Sequence, residues 1–142
     1  MNQKVLDFIT SHRVCSLTTI LPDGSPHSSA MHYSHSIDPL IFYFSSDNES
    51  KKFQGLVNNN TVKASMVIGF SEEEWLTLQM DGKIQVITDT EVLTKVKKQH
   101  YTKNPSAEIY KDEPYTVFLS FTPTWWRFTD FNTKPETILS SD

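Results

Sequence analysis

The sequence predicts a mainly β, antiparallel fold of the barrel or sandwich type, carrying a few short helices. Three observations predict it. Apolar and polar residues alternate over long stretches, as in Leu76, Leu78 and Met80 against Thr77, Gln79 and Asp81. Turn chemistry recurs at short intervals, at Pro22-Asp23-Gly24 and at Asp38-Pro39. Helical spacing surfaces in only three places, and the second of them falls between two strands.

In order, residues 2–12 place Val5, Leu6 and Ile9, with Phe8, at helical spacing and open the chain with an amphipathic helix. Residues 14–20 read as a β-branched strand, and His27 to Ser34 as its return after the Pro-Asp-Gly turn. Leu40 to Phe44 is a third, strongly apolar strand. Ser46-Asp47 then supply N-cap chemistry for a helix carrying Phe53, Leu56 and Val57, stopped by Asn58-Asn59-Asn60. Thr61 to Phe70 is the fourth strand, and Ser71 to Glu74 a solvated loop. The long strand 75–88 contains Asp81-Gly82, a bulge or hairpin turn. Residues 90–104 form a third helix, with Val92, Leu93 and Val96 inward and Lys95, Lys97 and Lys98 outward. Residues 105–114 are loop, and 115–121 with 124–131 form a closing antiparallel pair around Thr122-Pro123.

Composition bounds the rest. The 142 residues suit one domain over 1–142, with 37% hydrophobic and 12% aromatic residues for a core. A formal charge of −4 argues against nucleic-acid binding, which needs a basic face. Cys15 is the single cysteine, so no intrachain disulfide forms; in its strand it reads as a small buried hydrophobe. No run approaches a membrane span, and Met1 to Asp7 lacks the apolar stretch of a leader. A cytoplasmic protein away from membranes is the expectation.

Chemistry concentrates in residues 44–52, where a strand runs into a helix start with hydroxyls, amides and two lysines at the junction. Free backbone N–H groups and the positive end of the helix favour an anion there. Lys51 and Lys52 lie about 100° apart on an α-helix, yet both long side chains can bend back to a phosphate. Asp47 and Glu49 oppose an anion, or simply cap the helix. A phosphate site and a solvated helix start both stand as readings. His27, His32 and His35 invite a metal, but His27 and His35 sit about 26 Å apart along one strand while His32 faces the other way. No metal site is expected. No nucleophile elbow, phosphate-binding glycine loop or dinucleotide fingerprint occurs.

The ordered set of strand, Pro-Asp-Gly turn, strand, apolar strand, Ser-Lys-Lys helix start, strand and long Asp-Gly strand resembles the pyridoxamine 5'-phosphate oxidase-like, FMN-binding split-barrel family. The resemblance covers roughly residues 10 to 130. It implies a split β-barrel with one helix after the third strand and another after the long strand. It further implies an FMN phosphate held by Ser50, Lys51 and Lys52, with Ser45 and Ser46 beside it. Lysine in the family's arginine slot keeps the charge and loses the bidentate geometry. The flavin ring would lie along Ser29, Ala30, Met31 and His32. A ring contact that is usually glutamine falls on Thr77, two residues from Gln79. One of Trp125 and Trp126 would approach the flavin of a neighbouring subunit while the other fills the barrel, and Arg127, on the face of Trp125, would bring positive charge to the flavin or phosphate, making a homodimer with its sites at the interface. On a strand the two tryptophans face opposite ways.

The function implied is hydride or electron transfer between FMN and a small substrate or reductant, with no residue singled out as catalytic. The alternatives are a flavin- or haem-binding module without catalysis, and an interaction protein that has lost its cofactor. Authentic pyridoxamine phosphate oxidation is argued against, because Arg127-Phe128-Thr129-Asp130 and Asn132-Thr133-Lys134 lack the family's C-terminal Arg-x-His segment. His100 to Lys103 loosely resembles another part of that substrate site.

Overall fold

The computed structural model describes residues 1–59 and 61–142, with the side chains of 57–59 left aside. Helix α1 (Gln3–Ser11) leads into strands β1 (Val14–Ile20), β2 (Pro26–His32), β3 (Ser34–Ile37) and β4 (Leu40–Asp47). A 3₁₀ segment (Lys51–Asn59) precedes β5 (Val62–Ile68) and β6 (Leu76–Val86). Helix α2 (Thr90–Lys103), a second 3₁₀ segment (Pro105–Tyr110), β7 (Thr116–Asp130) and β8 (Thr137–Ser140) complete the chain. The strands form one antiparallel sheet in the order β2-β1-β5-β6-β7-β4-β3, with β8 on the far half of β7. This is the curled sheet of a split barrel.

Alternation builds the interior. Cys15 and Leu17 of β1, Met66 and Ile68 of β5, Leu78, Met80 and Ile84 of β6, and Phe42 and Phe44 of β4 all point inward and are buried. Helix α1 closes one end with Val5, Phe8 and Ile9. It starts at Asn2, whose side chain accepts from the Lys4 N–H at 2.9 Å. Its Lys4 ammonium lies 2.5 Å from Asp130. That bond, with others from Asn132, holds the Asp130 carboxyl down to about 2. On the opposite side of the sheet, α2 packs Val96 on Tyr43 and Phe118.

Two corrections concern β7 and its bulge. The expected closing pair is one continuous strand, Thr116–Asp130, whose first half pairs with β4 and which pairs with β6 from Leu119 to Asp130. Thr122-Pro123 makes no hairpin. Asp81 pairs with Trp125 and Gly82 with Pro123, so Thr124 is the extra residue of a bulge. Proline is tolerated there because the bulge interrupts the ladder. A Cβ on Gly82 would sit 2.2 Å from the Thr122 carbonyl oxygen, so only glycine permits this approach. The segment after β4 is 3₁₀ and not α-helical. Its Gly55 lies so close to the Ile20 carbonyl that a Cβ would come within 2.2 Å. The expected strand His27 to Ser34 is divided at Tyr33 into β2 and β3, β8 lies in a stretch with no expected element, and the 3₁₀ turn Pro105–Tyr110 lies in the expected loop. The expected placement of Val57 and the stop at Asn58–Asn60 fall outside the residues and side chains described.

Tyr33 is the corner between β2 and β3. It is wholly buried, its N–H donates to Arg13 O at 2.9 Å, and its carbonyl accepts from Asn104 Nδ2 at 3.0 Å. Its hydroxyl donates to Ile9 O at 2.7 Å. Tyr33→Phe keeps the ring and leaves the Ile9 carbonyl without this donor, so a loss of about 1–2 kcal/mol is expected in urea unfolding.

Candidate functional site

The sheet opens between the C-terminal ends of β2 and β4, and a cleft of about 700 Å³ lies there. Ala30, Met31 and His32 form one wall, and Ser45, Ser46 and Asp47 another. The roof is the 3₁₀ turn with Ser106, Ala107, Ile109 and Tyr110, and Tyr115 and Thr116 close the side. Ile109 is 73% exposed and Tyr110 52%, so the roof presents an apolar lip.

At the β4 end, hydroxyls and a cation converge. Ser46 Oγ lies 3.4 Å from Ser50 Oγ and accepts from Lys52 Nζ at 3.3 Å. Burial lowers the Lys52 pKa, opposed by the Asp47 charge. No carboxylate comes within ion-pair distance of this half-buried ammonium among the described residues. Asp47 instead caps the turn, accepting from the Glu49 N–H at 2.7 Å. The 3₁₀ geometry turns Lys51 away into solvent.

The structure therefore gathers Ala30, Met31, His32, Ser45 and Ser46 at one cleft, with Ser50 and Lys52 at its end. Ser29 points inward, its Oγ sealed without a partner. Thr77 and Gln79 of β6 and Trp125, Trp126 and Arg127 of β7 lie elsewhere on the sheet. Gln79 pairs with Arg127, both exposed on the outer face. Trp126 leans on the core, whereas Trp125 faces outward and donates from Nε1 to Asp142 at 2.8 Å. The register Ala30–Ser16–Val67–Gln79–Arg127 runs straight across five strands. Arg127 is thus four strand spacings, roughly 19 Å along the sheet, from Ala30.

The sequence reached the other side of the cleft only through the loose resemblance of His100 to Lys103 to a substrate site, with no role given to His100. His100, 1% exposed, lines it from α2, with Nδ1 3.0 Å from the Ser34 hydroxyl. Its signal was its position four residues after Val96 on the buried face of the helix. His27 and His35 are not on one strand, because the chain turns at Tyr33; His35 lies beside Lys103 and Thr10. Among the described residues no three His, Cys, Asp or Glu side chains gather around a common point. No helix described is long and apolar enough to cross a membrane.

With fold and cleft in view, the class is a split-barrel protein with a hydroxyl- and lysine-lined cleft at the opening of its sheet. Residues 1–130 match the pyridoxamine 5'-phosphate oxidase family, and the chain belongs to it. It is 29% identical over 125 residues to general stress protein 26 of Bacillus subtilis (strain 168), covering 87% of this chain and 84% of that protein. A Clostridium acetobutylicum protein related to general stress protein 26 shares the fold at TM-score 0.72 and 16% identity, over 99% of this chain and 94% of that one. HutZ, the haem storage protein of Vibrio cholerae, does so at TM-score 0.72 and 14% identity, over 86% and 89%.

One buried histidine, His100, and one half-buried, His35, make stability depend on pH. Burial, then Lys103, lowers His35 to about 4; burial, then His32 and Lys103, lowers His100 to about 4. Both stay neutral in the folded chain while the unfolded chain takes up protons near 6.5. Stability present above pH 6.5 is therefore lost as pH falls from 6.5 through 4. Urea midpoints at pH 7.5 and 4.5 should show the fall, and His100→Gln should reduce it.

Proposed function

We propose that the cleft binds FMN and that the protein is a flavoprotein transferring hydride or electrons to or from a small substrate. The observation that carries this reading is the Ser46–Ser50–Lys52 cluster, a half-buried cation and two hydroxyls with no carboxylate within ion-pair distance among the described residues. Such a group fits a phosphate, which accepts from hydroxyls and ammonium together. Lys52 and the two serines would hold the phosphate, and the outward-facing Ala30 and His32 would support a flat ring. FMN when bound supplies the redox chemistry; the chain's residues bind, orient and exclude water.

A homodimer with sites at the interface belongs to the same reading. Gln79, Trp125 and Arg127 share the outer face with Ala30 yet stand too far along the sheet to meet the same ring within one chain. A second copy facing this surface would bring them there. Haem is the second reading, favoured by the shared fold of the haem storage protein and by the two imidazoles lining the cleft.

Absorbance of the purified protein during FMN titration tests the choice. Flavin bands shifted on binding support FMN, and a strong Soret band on haem addition with indifference to FMN would overturn it. Lys52→Ala should weaken FMN at least tenfold, as loss of a charged hydrogen bond does. Lys51→Ala should change it far less. Gel filtration of the loaded protein should give twice the monomer mass, and a monomer that keeps FMN would defeat the interface model.

A further inference from the structure

Ser34 is wholly buried on β3, and its hydroxyl has one hydrogen-bond partner among the described residues, His100 Nδ1 at 3.0 Å. A buried hydroxyl must place its hydrogen on an acceptor. If Nδ1 carried a hydrogen and donated to Ser34, the serine hydrogen would face the interior unpaired. The hydroxyl therefore donates to Nδ1, and the neutral imidazole carries its own hydrogen on Nε2. Burial keeps the ring neutral, and Phe118 fixes its plane edge-on, with centroids 5.6 Å apart at 89°. Nε2 has no partner among the described residues. Nor is it among the sealed unpaired atoms, which are Thr19 Oγ1, Ser29 Oγ, Tyr101 OH and Asn104 Oδ1. The small exposure of His100 is thus at Nε2, and His100 lines the cleft.

We propose that His100 Nε2–H is a specificity-determining donor for the carbonyl oxygen of a flat, uncharged ring compound held in the cleft. Met31, Ile109, Tyr110 and Tyr115 supply apolar and aromatic walls for such a ring. A hydrocarbon of the same shape would leave the donor desolvated and unpaired, which is how a built polar group discriminates. The inference deepens the flavoprotein reading and rests on it for what the ligand meets beside it. Two sources share this chemistry, the flavin's own carbonyl groups and a separate ketone substrate. The same tautomer gives iron no lone pair at His100 Nε2, which would leave the haem reading to His32.

Ring ¹⁵N NMR of the histidine-labelled full chain tests it, with His100 assigned through His100→Gln. The Nε2–H tautomer is expected, with its ring signals moving on addition of acetophenone and not of ethylbenzene. Acetophenone should bind at least fivefold more tightly than ethylbenzene. Ser34→Ala, which keeps the helix and frees the tautomer, should narrow that ratio. Movement with FMN alone assigns the acceptor to the flavin; movement with acetophenone on the FMN-loaded protein assigns it to a substrate. An Nδ1–H tautomer, or equal response to ketone and hydrocarbon, overturns the proposal. Flavin absorbance is read separately, so protein that ignores FMN while acetophenone moves His100 loses the flavin reading and keeps the donor.

Discussion

Tyr33 holds the molecule's two halves in register, and most of what the cleft offers depends on it. The β2 ladder continues through its N–H to Arg13, its carbonyl takes the Asn104 side chain at the end of α2, and its hydroxyl reaches the last turn of α1. One residue thereby ties the β1–β2 pair, both helices and the start of β3. The cleft wall at His32 ends at this corner, and the wall at Ser45 belongs to β4, which pairs with the β3 that starts there. Lys103, lying 4.1 Å over the Tyr33 ring and lowered to about 8 by burial and then Arg13, adds a cation to the same corner. Packing and hydrogen bonding there act together, so the geometry is set by a closed network and not by any single bond.

The second organising element is β7. A strand of 15 residues is long for a sheet of this size, and it serves β4 with one half and β8 with the other while β6 follows it from Leu119 onward. The Gly82–Thr124 bulge lets it bend between the two tasks. Its burial pattern changes there too, from a fully buried run at Phe118–Phe121 to exposed alternation and back to Phe128–Asp130. The first run is sandwiched between the barrel and α2, which explains its lack of alternation.

Much of this was legible in the sequence, for reasons that can be named. Strands β1, β5 and β6 bury every second residue, so their period survives in the chain. Strand β8, Thr137–Ser140, is largely exposed and only four residues long, so nothing apolar announces it. Strand β7 was split in the reading because proline signals a break, and only its pairing shows that a bulge accommodates it. Around the cleft, local residues such as Ser46, Ser50 and Lys52 could be found from a strand-to-helix junction. Which of two adjacent lysines turns inward depends on the pitch of a 3₁₀ segment pressed on Ile20 by Gly55, and adjacency in sequence carries no trace of it. His100 meets Ser34 across 66 positions of chain. Only the packing of α2 on β3 and β4 makes that meeting.

The two border strands of the sheet, β2 and β3, follow each other in the chain with Tyr33 alone between them, yet each is paired on one side only. Closure at this seam is covalent where a complete barrel would use a ladder. The unused main-chain amides and carbonyls along the seam stand next to the cleft, available to whatever lies in it. Recognition written in backbone tolerates replacement of the side chains around it.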